Sequence, residues 1–200
     1  MGINPNFQAV TATKIQDSLA QAINLVLAEN NQVLENISYK VLEQLAEEIA
    51  TTPRIFVCGE GRSGLVIRML AMRLMHLGYQ VYVVGETITP SIKAGDLLIA
   101  CSGSGYTGNV LAIAATAKKI GVRVVVVTVK AKSPLGEIAD LVVEIEAAAK
   151  QDHSHQVSKQ FAGSLFEQST LLLFDALFQF LAQSSNKNAH TLWALHTNLE

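Results

Sequence analysis

Apolar residues change their period along the chain, and the change divides it into an arm and a core. From Val10 to about Ala50 they recur every three or four positions. Ile15, Leu19, Ile23, Val26 and Leu27 form one stripe; Val33, Leu34, Ile37, Val41, Leu42, Leu45 and Ile49 form another. That spacing predicts a helical arm after a frayed start at 1–9, in two segments divided at the polar Glu29-Asn30-Asn31. Such an arm covers a sheet face or clasps a second subunit, and the spacing fits both. Pro53 ends it. Beyond it, short unbroken apolar runs at 54–58, 80–84, 96–101, 123–128 and 141–145 alternate with helical spacing over 63–77, 107–119 and 133–139. Unbroken runs predict strands buried on both faces, and strand–helix alternation predicts right-handed crossovers. The fold class is therefore α/β: a three-layer αβα sandwich around a five-stranded parallel sheet in the flavodoxin-like order 2-1-3-4-5, preceded by the arm. A polar, irregular stretch follows at 147–163, then an apolar helix from Gly163 through Phe180 and an amphipathic tail carrying Trp193 and His196.

Composition narrows this picture. Two hundred residues without a linker or repeat read as one domain over 1–200, with the arm at 1–50, the α/β core at 51–183 and the tail at 184–200. A formal charge of −2 gives no reason to expect nucleic acid or a membrane as partner. The apolar runs look too short for a spanning helix, and the start lacks a basic-then-apolar leader, so the expected place is the cytoplasm. Cys58 and Cys101 each close a strand and read as reduced core thiols.

In the order 2-1-3-4-5, the turns after strands one and three border the crevice where the winding reverses. Both are rich in small polar residues: Gly59-Glu60-Gly61-Arg62-Ser63-Gly64 and Ser102-Gly103-Ser104-Gly105-Tyr106-Thr107. Backbone N–H groups and hydroxyls at helix starts converge on an anion, and serines rather than lysines suit a phosphate ester. A tight βα turn without a ligand is the plain alternative. The first turn also matches Gly-x-Gly-x-x-Gly, with Glu86 about 20 residues on, as in dinucleotide sites. Polar Arg62 and Ser63 inside the motif, and the second hydroxyl turn, argue against that reading.

Other chemistry-bearing residues have more than one reading. Arg62 serves a bound anion or faces solvent. Glu86 hydrogen-bonds a ligand, orients a neighbouring chain or caps a turn. Lys130 and Lys132 add positive potential at the mouth or are exposed loop lysines. His153 and His155 are metal ligands without an obvious third partner, or part of a solvated loop. Ser164-x-x-Glu167 has the spacing of a capping box, which would confine Glu167 to the helix start. His76 lies thirteen residues beyond Ser63, roughly 20 Å along one helix. It therefore complements a helix end or works across a subunit contact.

Gly-Glu-Gly-Arg-Ser-Gly (59–64), Arg-Leu-Met-His-Leu-Gly (73–78), Val-Gly-Glu-Thr-Ile-Thr-Pro (84–90), Ser-Gly-Ser-Gly-x-Thr (102–107) and Gly-Ser-Leu-Phe-Glu-Gln (163–168) together resemble the sugar-isomerase (SIS) family. The second and third blocks resemble its 6-phospho-3-hexuloisomerase branch. The resemblance implies interconversion of a 3-hexulose 6-phosphate with fructose 6-phosphate, without cofactor or metal, in a homotetramer with shared sites. It assigns the phosphate to Ser63, Ser102, Ser104 and Thr107 in turns that include Gly61, Arg62 and Gly103, with Glu86 nearby. It makes Glu167 the base, and His76 an assistant in ring opening from a neighbouring subunit. Three positions depart from the family pattern: Tyr106, where an acidic or small residue is more frequent; Leu195, where a basic one is usual; and Ala162, in place of a larger apolar residue. Two other functions fit the same turns: a different SIS isomerase acting on aldose or amino-sugar phosphates, and a sugar-phosphate sensor. A sensor needs no base at Glu167.

Overall fold

The computed structural model describes residues 12–152 and 156–199, so His153, His155 and the start of the arm lie outside the described residues. Strands β1 (Arg54–Gly59), β2 (Gln80–Val83), β3 (Leu97–Cys101), β4 (Arg123–Thr128) and β5 (Leu141–Glu144) form one parallel sheet in the order β2-β1-β3-β4-β5. This is the order expected from the alternation. All of β3 is buried, as are the inner residues of β1 and β4, which is why their sequences run apolar without a break.

Strand parity sorts the core into two layers. Ile55, Val57, Leu97, Ile99 and Val125 pack with α2 (Tyr39–Thr51), α3 (Gly61–His76), α6 (Ser164–Ser184) and the C-terminal part of α1 (Ala12–Asn36). Phe56, Cys58, Leu98, Ala100 and Val126 face α4 (Gly108–Ile120) and Leu135 of the short α5 (Pro134–Ile138). Each fully buried Val, Leu or Ile contributes about 1.5–3 kcal/mol, so these two layers carry most of the stability.

Three expectations need correcting. The arm does not divide at Glu29-Asn30-Asn31: α1 runs unbroken to Asn36, and the break falls at Ile37-Ser38. The polar residues there make tertiary contacts instead of a turn. Asn30 is buried, donates to Val26 O and Gln168 Oε1 (2.8 Å each), and accepts from Ser169 Oγ at 2.8 Å. Glu29 accepts from Ser158 Oγ at 2.7 Å and from the Lys159 and Gln160 nitrogens. Second, Asp96 precedes β3 and does not belong to it. Its carboxylate accepts from Arg54 Nε at 2.9 Å and from the Lys93 amide at 2.8 Å, clamping the entry to the strand. Third, the 21-residue α6 is long and apolar enough to cross a membrane, contrary to the expectation from run lengths. Burial of Leu165, Phe166, Leu173, Phe174, Leu177 and Phe178 against the core accounts for that composition.

The two apolar stripes of the arm have different fates. Val33, Ile37, Leu45 and Ile49 enter the core, whereas Leu19, Ile23 and Leu27 each remain more than half exposed.

Candidate functional site

The site starts with two strands that end level. Gly59 pairs with Cys101 across β1 and β3, so the turns that follow leave the sheet side by side. Close docking of α3 depends on glycine: a Cβ on Gly64 would lie 2.6 Å from the Gly59 carbonyl oxygen. This contact turns the start of α3, with Gly61 and Ser63, toward the second turn.

That second turn is bonded internally. Ser102 is buried; its Oγ lies 2.8 Å from Thr107 Oγ1 and accepts the Gly105 amide at 3.2 Å. Ser104 Oγ accepts the Tyr106 amide at 3.1 Å. Thr107 is the N-cap of α4, but its side chain does not cap that helix, leaving the hydroxyl with Ser102 at the crevice. Helix starts carry partial positive charge, and those of α3 and α4 both open here.

A third helix start, that of α6, completes the cleft. The N-cap is Gly163 and Ser164 is already helical, so the capping-box alternative for Glu167 does not hold. The side chain leaves the helix and crosses to the first turn. Glu167 Oε2 lies 2.8 Å from Arg62 Nε, and Oε1 lies 3.4 Å from Ser63 Oγ. A cleft of about 430 Å³ results, bounded by Gly61, Arg62 and Ser63, by Ser102, Gly103, Ser104 and Thr107, and by Glu167. Its size suits a sugar phosphate.

Burial pushes the Glu167 carboxyl above the ordinary carboxylate range, an effect that the Arg62 charge, the Ser63 hydrogen bond and the Lys150 charge only partly offset. A carboxylate serving as a base must be ionised, so any activity that Glu167 carries should fall as pH drops through this raised pKa. Arg62→Ala removes the foremost opposing charge and should move that acid limb to higher pH. A pH profile of kcat/KM for both proteins measures the displacement. Burial also raises both thiols, Cys58 to about 12, and they remain protonated packing residues.

The remaining expected residues lie elsewhere. Glu86 forms an exposed ion pair with Arg68 of α3 and does not line the cleft. Lys130 sits over the Tyr106 ring at 5.2 Å, and Lys132 is exposed. His76 ends α3 at the far end from Ser63, as its sequence separation required, and is buried beside His196. Two lining residues went unread in the sequence: Lys150, one lysine in a polar stretch with no local signal, and Phe161, whose isolation among polar residues was a signal. Ala162, beside them, holds a φ of +52°, and a small residue suits that bend.

Residues 48–178 match the SIS domain family. The chain is 46% identical over 186 residues to a 3-hexulose-6-phosphate isomerase from Mycobacterium gastri, covering 93% of this chain and 94% of that one. It is 38% identical over 176 residues to a Bacillus subtilis (strain 168) protein of the same name, covering 88% and 95%. Among solved structures, a hypothetical protein from Methanococcus jannaschii superposes with a TM-score of 0.78 at 32% identity, covering 90% and 99%; its structure was taken to imply 3-hexulose-6-phosphate isomerase function.

Proposed function

Since the chain belongs to the SIS domain family, we propose that it is an isomerase interconverting D-arabino-hex-3-ulose 6-phosphate and fructose 6-phosphate. The observation that carries this reading is the Glu167 carboxylate on the wall of the cleft between the two hydroxyl turns, with its pKa raised. A protein that only bound sugar phosphate would need hydroxyls and helix starts there, but no base.

In this reading Ser63, Ser102, Ser104 and Thr107 hold the phosphate, with backbone amides of the turns at Gly61 and Gly103 and the Arg62 charge beside them. Moving the carbonyl from C3 to C2 requires loss of the C2 proton to a base, leaving a 2,3-enediolate. The same proton, or one exchanged from solvent, then returns to C3. A single carboxylate reaching both carbons does this, and its raised pKa brings it nearer the neutral range where proton transfer is efficient in both directions. No cofactor enters this proton balance.

His76 joins the site from a neighbouring subunit. Leu65, Met69, Met72 and His76 share one face of α3, and the first three are exposed. Two copies crossing antiparallel on that apolar stripe place each His76 near the other's cleft, where it takes the proton of the anomeric hydroxyl and delivers one to the ring oxygen as the ring opens. Leu19, Ile23 and Leu27 of α1 offer a second apolar face, so two kinds of contact support a homotetramer of single-domain chains. The buried, unpaired cysteines fit a reducing cytoplasm.

The test is to incubate the pure protein with fructose 6-phosphate and look for a 3-keto isomer by NMR. An aldose phosphate as product would favour another SIS isomerase, and tight binding without product a sensor. Mixing His76→Ala and Glu167→Gln chains should restore part of the activity that each lacks alone, because one hybrid site then holds both intact groups. No regain would remove His76 from a shared site.

A further inference from the structure

The C-terminal segment lies over the far end of α3. After α6 the chain forms α7 (Ala189–Trp193), closed by a capping box in which the Asn188 side chain accepts from the Thr191 amide at 3.0 Å. The tail then brings His196 face to face with His76. The two imidazoles are 5.2 Å apart between centroids and 7° from parallel. Trp193 also stacks on His196, at 4.8 Å and 16°. His76 is only 6% exposed although it ends a surface helix, whereas Trp193 is 74% exposed.

Resting on the shared-site reading, we propose that His196 is a positioning residue for His76, its ring face fixing the plane in which the His76 imidazole meets the sugar bound by the neighbouring subunit. The aryl torsion of a histidine at a helix end is broad. A parallel ring against one face narrows it, and proton transfer is sensitive to displacements of about 1 Å. Charged groups lie near the pair. Arg73 of α3 is paired with Asp175 of α6, and Lys187 lies beside Gly78. Burial, then His196, then Arg73 lower the His76 pKa, which keeps the ring neutral and able to accept a proton. A leucine at 196 would cover the helix end as well by area, but would present no flat face.

The test compares His196→Ala and His196→Phe in the full-length chain, with folding checked by circular dichroism. His196→Ala should lower kcat about tenfold while KM stays within about twofold, the signature of a lost alignment rather than lost binding. His196→Phe retains a flat ring and should restore kcat to within about threefold of wild type. Wild-type kcat in His196→Ala overturns the proposal, as does a change confined to KM. If His196→Phe folds but is as slow as His196→Ala, a ring nitrogen matters rather than the face, and the positioning role is wrong. An inactive wild-type chain would instead remove the isomerase reading, and this inference with it.

Discussion

Glu167→Gln leaves the fold intact and lowers turnover by about 10² or more, the loss expected when a proton-transfer group is removed without changing its shape. Structural damage should be slight. The Arg62 side chain is 57% exposed, so losing its partner at 2.8 Å leaves the guanidinium in water. Exposed pairs contribute only about 0–1 kcal/mol. Had Glu167 served as half of a capping box, glutamine would have replaced it without penalty. Instead Gly163 caps the helix, the Glu167 amide bonds to Gly163 O, and the carboxylate contacts Arg62 and Ser63 of the first turn. Steady-state kinetics with denaturant unfolding separate the two accounts: full stability with lost turnover supports the base, and near-normal turnover removes Glu167 from the chemistry.

Gly105→Ala should be the most damaging small substitution in the hydroxyl turn. Its φ of +70° lies in the left-handed region, where an L side chain costs about 1–2 kcal/mol. A Cβ there would also lie 2.1 Å from Ser133 Oγ and 2.5 Å from Ser133 Cβ. Ser133 cannot simply turn away, since it is buried and its hydroxyl caps α5 by accepting the Gly136 amide. Overpacking adds about 1–3 kcal/mol. The sum is a large share of the roughly 5–15 kcal/mol that a folded chain holds in reserve, and Tm should fall by about 5–15 °C. Movement of the turn would also displace the Gly105 amide from Ser102 Oγ, weakening the proposed phosphate cradle. Gly108→Ala is the control, because nothing lies within 4 Å of its added Cβ. It should melt like the wild type in the same calorimeter, and equal melting of the two variants would contradict the packing account.

Strand order and crevice were legible because both follow from local pattern. The apolar runs of β1, β3 and β4 are continuous since both faces of each are buried, and the turns after β1 and β3 announce themselves by their glycines and serines. What escaped the sequence depended on partners distant in the chain. Asn30 looks like a helix breaker until Gln168 and Ser169 are placed against it. Ser164 and Glu167 have the right spacing for a cap, but the backbone starts the helix one residue earlier than that motif needs. Glu86 and Arg68 pair across elements, which draws that glutamate away from the cleft. Lys150 reaches the cleft through a turn that no periodicity describes, and the burial of His76 depends on a tail residue 120 positions later, His196.

Fructose 6-phosphate turned over by the wild-type chain in D₂O, with each carbon read by NMR, tests the proton route at its centre. A carboxylate working through the 2,3-enediolate, its proton exchanging with solvent over repeated turnovers, should place deuterium at C3 and leave both hydrogens on C1 in place. Deuterium accumulating at C1 would mean a 1,2-enediolate and an aldose product, and would contradict the mechanism assigned to Glu167.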